Sequence, residues 1–362
     1  MMLLTAQKAD RREIEGKEAP TVIIDPLQRP NWDALVEAHP RSTIFHGIGW
    51  ARVLNETYGH VPMYVCRFDG DHLAQSLPLM EVASRWTGRR GVSLPFTDAC
   101  APLCGQSADG RNLYREAMDL GRQRRWKYLE CRNYDPAWEG CAPSLEFYGH
   151  VIDLGIGADR LFNGLDGAVR RGVRKAEAGG LKVEFSADKE SVRTFYKLHC
   201  GTRRRHGLPP QPFRFFENIQ RHILGKGRGF VATARMGSQP AAAGVFFYHG
   251  GEGLYKYGAS DYGLQHHRPN NLMMWAAMRR CAEEGLSTLN LGRTSLSNEG
   301  LRRFKLGLGA VEKKLQYAKY DFSSKQFVVD VDQVEGWFNR VFSRLPLPVL
   351  RLAGAALYPH LC

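Results

Sequence analysis

The run Ala241-Ala242-Ala243-Gly244-Val245-Phe246-Phe247-Tyr248-His249, Gly250-Gly251-Glu252-Gly253, Leu254-Tyr255-Lys256-Tyr257-Gly258-Ala259 decides the fold class. Two β-branched and aromatic segments flank a glycine turn, the pattern of a hairpin. A further strand at 230–235 precedes them, joined by the turn Met236-Gly237-Ser238-Gln239-Pro240. Downstream, Asn270 and Asn271 offer caps for a helix that carries Met274, Ala277, Met278 and Cys281 on one face. Gly285 supplies its stop. Residues 288–291 read as a short strand, and Gly292-Arg293-Thr294 as its polar exit. A helix between two strands of one sheet requires a crossover, so 288–291 should run parallel to 254–259.

The first half repeats this order. Residues 31–38 and 47–58 read as helices, and 62–68 and 72–82 as strands around Asp69-Gly70-Asp71. A helix at 111–122 and a strand at 126–131 follow, and both closing strands run into an arginine, Arg132 and Arg293. This is a weak internal repeat of one α/β unit. The expected division is 1–20 without order, 21–145 a first domain, 146–325 a second and catalytic domain, and 326–362 an amphipathic tail. Helices at 166–178 and 188–206 should flank a strand at 181–185, and 311–320 alternates like an exposed edge strand.

The chain has 362 residues, 43% hydrophobic and 24% charged, enough for two cores. A formal charge of +13 suits a polyanionic partner: a nucleotide pyrophosphate, a tRNA or anionic headgroups. The eight cysteines include no Cys-x-x-Cys pair, and no histidine spacing completes a zinc site, so no metal is expected. No secretory leader or run of about 18 apolar residues is read, which points to the cytoplasm. The tail mixes Trp337, Phe338, Val341, Phe342, Val349, Leu350 and Leu352 with Arg340, Arg344 and Arg351. Such a segment suits either the inner face of a membrane or the protein's own core.

Ordered motifs along residues 22–322 give a resemblance to a family. They are Phe45-His46, Gly49-Trp50, Tyr58-Gly59-His60, Leu77-Pro78-Leu79 and Ser93-Leu94-Pro95-Phe96 in the first half. In the second they are Tyr255-Lys256-Tyr257-Gly258-Ala259-Ser260, Arg268-Pro269-Asn270-Asn271-Leu272, Leu291-Gly292-Arg293-Thr294 and Arg303-Phe304-Lys305-Leu306-Gly307. The set resembles FemAB-type proteins of the GNAT acyltransferase superfamily, in particular those associated with exosortase and exopolysaccharide loci. Asn290 departs from it, where relatives carry an acidic residue. The resemblance implies an α/β fold of two tandem GNAT-like domains, with bent mixed sheets flanked by helices. It also implies transfer of an acyl or aminoacyl group to an amine of a peptidoglycan or exopolysaccharide precursor, from acyl-CoA or aminoacyl-tRNA. Two other readings stand beside it: an N-acetyltransferase using acetyl-CoA on a small amino-sugar, and a non-catalytic scaffold that binds RNA or an envelope assembly.

Acyl transfer needs a deprotonated amine and donors for the tetrahedral oxyanion. No Gly-x-Ser-x-Gly elbow offers a covalent nucleophile. By resemblance, Lys305 faces the cleft and binds a phosphate or the oxyanion, with Phe304 beside the substrate. The segment holding Arg268, Asn270 and Asn271 takes the place of a pyrophosphate loop, although only Gly263 of its glycines remains. Arg293 offers a planar fork to a phosphate. Tyr257 is a candidate acid and His267 a candidate base. Tyr255 and Tyr257 should share one strand face. Arg174 and Lys175, with Arg170 and Arg171, form one basic cluster for an acceptor, and Arg203, Arg204 and Arg205 another.

Overall fold

A computed structural model describes residues 20–105, 110–134, 138, 140–332 and 336–361, so the expected disorder at 1–20 falls almost wholly outside the described residues. The first half runs β1 (Val22–Ile24), α1 (Trp32–Glu37), α2 (Ile48–Tyr58), β2 (Val61–Pro62), β3 (Tyr64–Asp69), β4 (His72–Leu77), β5 (Met80–Ser84), β6 (Gly88–Val92), α3 (Arg111–Arg124) and β7 (Tyr128–Arg132). The second opens with β8 (Leu145–Asp153), α4 (Ala158–Gly164), α5 (Gly167–Ala178), β9 (Leu181–Ser186), α6 (Lys189–Arg205) and α7 (Phe213–His222). It continues through β10 (Gly229–Met236), β11 (Gln239–His249), β12 (Glu252–Ser260), α8 (Pro269–Glu283), β13 (Thr288–Ser295), α9 (Glu299–Gly307), β14 (Val311–Asp321) and β15 (Gln326–Phe327). Two tail helices, α10 (Trp337–Arg344) and α11 (Leu347–Leu357), close the chain.

The helix starts follow from caps. Asp166 accepts from the Ala168 amide ahead of α5, and Asp188 from the Ser191 amide ahead of α6. Strand β11 reads as a continuous apolar run because both of its faces are covered. On one side Phe246 joins the cluster built on α5 and α8. On the other, Val245 and Phe247 join Trp50 and Leu54 of α2 with Phe195, Phe215 and Phe216 of α6 and α7. That second cluster holds helices of both halves, with the Trp50 ring 5.9 Å from Phe215.

A small sheet, β1-β3-β4, stands beside a large one ordered β2-β5-β6-β7-β14-β8-β13-β12-β11-β10-β9. Among the described residues only β6–β7 and β12–β13 pair in parallel, and each pair is joined by a helical crossover. Both pairings are brief: Gly91 and Val92 meet Leu129 and Glu130, and Glu252, Gly253 and Leu254 meet Thr288, Leu289 and Asn290. Each pair then diverges, so the repeat read in the sequence is a repeat of forked strands.

Four expectations need correction. Strand β14 is no edge: it lies between β7 and β8, with Leu315, Tyr317 and Ala318 buried. Its alternation of lysines belongs to the end near Val311 alone, which meets solvent. The expected strand 72–82 is two strands in different sheets, because Pro78 has no N–H for a ladder. Gly292, Arg293 and Thr294 are not an exit but part of β13. The expected division between 145 and 146 falls inside strand β8, whose glycine and charged residues hide its pattern.

The tail packs on the protein along one side. Leu350 is buried, and Arg203 donates to the Tyr358 hydroxyl at 2.9 Å. Gly354 of α11 lies so close to the Pro209-Pro210 segment that a Cβ there would sit 2.0 Å from the Pro210 carbonyl oxygen. Gly354→Val should therefore push α11 off its seat, with a melting-temperature loss of a few degrees. Trypsin should then cut at Arg351 faster than in the parent protein. Unchanged cleavage would show that the helix is held elsewhere.

Candidate active site

Where β12 and β13 part, each strand carries a bulge. Opposite β12, Val245 pairs with Tyr257 and Phe246 with Tyr255, so Lys256 is the extra residue. Opposite β13, Val151 pairs with Asn290 but Gly149 with Arg293, which places the extra residue at Leu291-Gly292. Gly292 has φ 69°, left-handed backbone that a side chain resists. It also leaves room for Asp98, whose Oδ2 would lie 3.1 Å from an added Cβ. The fork opens a cleft of about 540 Å³.

Four charged groups meet there. Lys256 donates to the Asp98 carboxylate at 2.8 Å, and its ammonium is almost fully buried. Lys305, on α9 and 3% exposed, donates to the carbonyls of Gly292 at 2.9 Å and Arg293 at 3.0 Å. It thereby supplies donors where the ladder is broken. Arg293 donates to the Tyr317 hydroxyl at 2.9 Å and lies over the rings of Phe147 and Tyr317. The Tyr317 hydroxyl in turn donates to the Asp98 carbonyl at 2.6 Å.

Burial dominates the protonation of these groups. It pushes the Asp98 carboxyl up, but Lys256, then Arg293 and Lys305, hold it below the ordinary carboxylate range. Burial pulls Lys256 down against the pull of Asp98. Burial takes Lys305 down to about 8, with Asp98 opposing and Lys256 assisting. At neutral pH the cleft thus holds one carboxylate among three cations, an excess of positive charge that suits an anionic ligand or a developing oxyanion.

Asp98 comes from the first half, 158 residues before its partner. Its loop is strained, with Leu94 at φ 58° and Phe96 at φ 61°. The loop is also well tied. Arg132 donates its backbone N–H to the Ser93 hydroxyl at 2.6 Å and its guanidinium to the Thr97 carbonyl at 3.0 Å. The Ser93 amide donates to the Glu130 carbonyl and the Cys100 amide to that of Arg132. These bonds fill the fork between β6 and β7. The first half's fork is therefore plugged by residues 93–100, and the plug delivers Asp98 to the second.

The expected site residues divide. Lys305, Arg293, Asn270 and Phe304 line the cleft. Arg268 and Asn271 turn instead to a neighbouring cavity against α5 and α9. Asn270 and Asn271 are not caps: Pro269 holds the first helical position, where its missing N–H is harmless, and Arg268 precedes it with φ 62°. Tyr257 is removed from the cleft by the Lys256 bulge, which sets Tyr255 and Tyr257 on opposite faces. Tyr255 lines the cleft, whereas Tyr257 is buried against Phe215 and Phe216. Burial raises its phenol well above the usual range. His267 sits in a turn with its ring 3.9 Å from that of His266, off the cleft lining. Arg174 and Lys175 point to solvent from α5, with Arg174 over the Phe162 ring. Asp98 and Lys256 are the residues that sequence reading missed. Both lie in or beside quoted motifs, yet nothing local ties one to the other. Among the described residues no cluster of three or more His, Cys, Asp or Glu is placed to hold a metal ion.

Residues 167–310, which contain the fork and α9, match the family described as the acetyltransferase (GNAT) domain. No curated protein matches the sequence. Among solved structures, FemX superposes with a TM-score of 0.66 at 14% identity, covering 84% of this chain and 98% of FemX. The C-terminal domain of a putative lysylphosphatidylglycerol synthetase from Agrobacterium fabrum gives 0.55 at 12% identity, over 83% of this chain and 92% of that one. A tandem GNAT protein from the clavulanic acid biosynthesis pathway gives 0.53 at 12% identity, over 83% and 98%. The chain has the fold of tandem GNAT-like proteins, and its residues 167–310 match the GNAT acetyltransferase domain.

Proposed function

We propose that this protein transfers an acyl or aminoacyl group to an amine of an envelope precursor of peptidoglycan or exopolysaccharide type. The observation that carries the reading is the bulged fork with Lys256, Asp98 and Lys305 gathered at it. In this scheme the amine attacks the donor carbonyl and a C–N bond forms. The oxyanion develops beside the Lys305 ammonium, and Asp98 receives the proton that the attacking nitrogen sheds. Collapse expels the donor's thiolate or ribose oxygen. FemX and the lysylphosphatidylglycerol synthetase domain, similar in fold, support the acceptor class by analogy alone.

The start of α8 favours one donor over the other. A pyrophosphate cradle needs free N–H groups. Pro269 has none, and the Asn271 and Leu272 amides both turn to the Arg268 carbonyl. A donor held by side-chain charge, aminoacyl-tRNA, therefore fits better than coenzyme A. Calorimetric and thermal-shift titration with acetyl-CoA and with charged tRNA, at two salt concentrations, tests this. Charged tRNA should raise the melting temperature, with affinity falling steeply as salt rises, and should lose its aminoacyl group when an amine acceptor is added. Stabilisation by acetyl-CoA alone, abolished in Asn270→Ala, would move the donor to an acyl-CoA. Neither ligand binding would overturn the transfer reading.

A further inference from the structure

The tail helices bury one side of themselves and leave an apolar stripe on the other. On α10, Asn339 donates to the His206 carbonyl on the protein side, whereas Phe338 and Val341 face outward, with Phe338 53% exposed. On α11, Leu350 and Gly354 face the protein, whereas Val349 and Leu352 face outward, with Leu352 72% exposed. The outward pairs, Phe338 with Val341 and Val349 with Leu352, are each three residues apart and so share one side of their helix. Interleaved with them are Arg340 and Arg344, both exposed, while the Arg351 guanidinium lies over the ring of the buried Tyr196. From Gly336 onward the sequence contains no aspartate or glutamate. Apolar residues flanked by arginines, with no acid, complement an anionic lipid surface on both counts.

The position of this face relative to the cleft adds to the case. Ser343 of α10 lines a shallow cavity of about 610 Å³ with Lys197, Arg204, Arg205 and Tyr262. Arg205 and Ser260 line both that cavity and the cleft. Tyr262, 70% exposed, stands beside Arg205 with the guanidinium over its ring. Aromatic and arginine side chains at such a rim suit the headgroup layer. Among the described residues no helix is long and apolar enough to cross a membrane.

We propose that α10 and α11 form a docking face for an anionic lipid bilayer, which seats the cleft mouth at the membrane surface. This stands on the tail helices and the adjoining rim and does not rest on the transfer reading: an inert protein that still binds vesicles would leave it intact. The full chain should co-sediment with vesicles of phosphatidylcholine plus phosphatidylglycerol, and not with phosphatidylcholine alone. Val341→Asp/Leu352→Asp should abolish that binding while the melting temperature stays put, since both side chains are already exposed. Arg340→Gln and Arg344→Gln should each weaken it about fivefold. No binding to phosphatidylglycerol vesicles would overturn the proposal. So would undiminished binding by the double aspartate variant, which would place the contact on charge elsewhere. A light-scattering dimer that Leu352→Asp splits, in a protein indifferent to lipid, would show instead that a second copy covers the face.

Discussion

Asp98→Ala should lower the melting temperature by roughly 5–10 °C, among the larger losses expected from any single polar substitution in this chain. The Lys256 ammonium it pairs with is almost fully buried, and among the described residues no second carboxylate forms an ion pair with it. Removing one partner of a buried pair leaves an uncompensated charge, at about 3–5 kcal/mol. Replacing both is far milder, because an apolar side chain can fill the space. Asp98→Ala combined with Lys256→Met should therefore melt above Asp98→Ala alone, a coupling that a double-mutant cycle reads directly. Losses that simply add would mean the pair contributes nothing to joining the halves. The same substitution should also abolish transfer. The Asp98→Ala/Lys256→Met variant separates the two effects, since it removes the uncompensated charge but still lacks the proton acceptor.

How much of this was legible can be said element by element. The meander, the crossover helix and the parallel return at 288–291 were legible, because hairpin turns, an apolar helix face and a terminal glycine are local signals. The Asp98–Lys256 contact was not. Lys256 stood inside a quoted motif, but its partner lies in the other half, in a loop whose left-handed residues are Leu94 and Phe96 rather than glycine or asparagine. The expectation that Tyr255 and Tyr257 share a face failed for a related reason. Strict alternation presumes an unbroken ladder, and one inserted residue reverses it. The place of β14 was hidden because strand order is settled by the packing of distant segments, while alternation reports only local exposure. The plugged fork of the first half follows from the same limit, since nothing in Ser93-Leu94-Pro95-Phe96 signals that it fills a gap between two strands.

Lys305→Met should lower kcat/KM for acyl transfer by about 10²–10³-fold, the range seen when one oxyanion donor is removed. The pH profile then distinguishes a cation that acts on the reaction from one that only holds the bulge. Lys305 has its pKa brought down to about 8 in the folded protein, against an ordinary 10.5. If its ammonium stabilises the oxyanion, activity should fall as pH rises through about 8, and Lys305→Arg should remove that fall because a guanidinium keeps its charge. Stability should move the other way. Below about 8 the lysine is protonated in both states, and the cost of burying its charge is carried in full. Between about 8 and 10.5 the folded form has lost the proton and the unfolded form retains it, so the folded state gains with rising pH, by up to about 3 kcal/mol. Lys305→Met lacks this gain, and the difference between the two proteins isolates it from other titrating groups. An alkaline loss of activity that persists in Lys305→Met would assign the titration to another residue and leave Lys305 as the clasp of Gly292 and Arg293 alone.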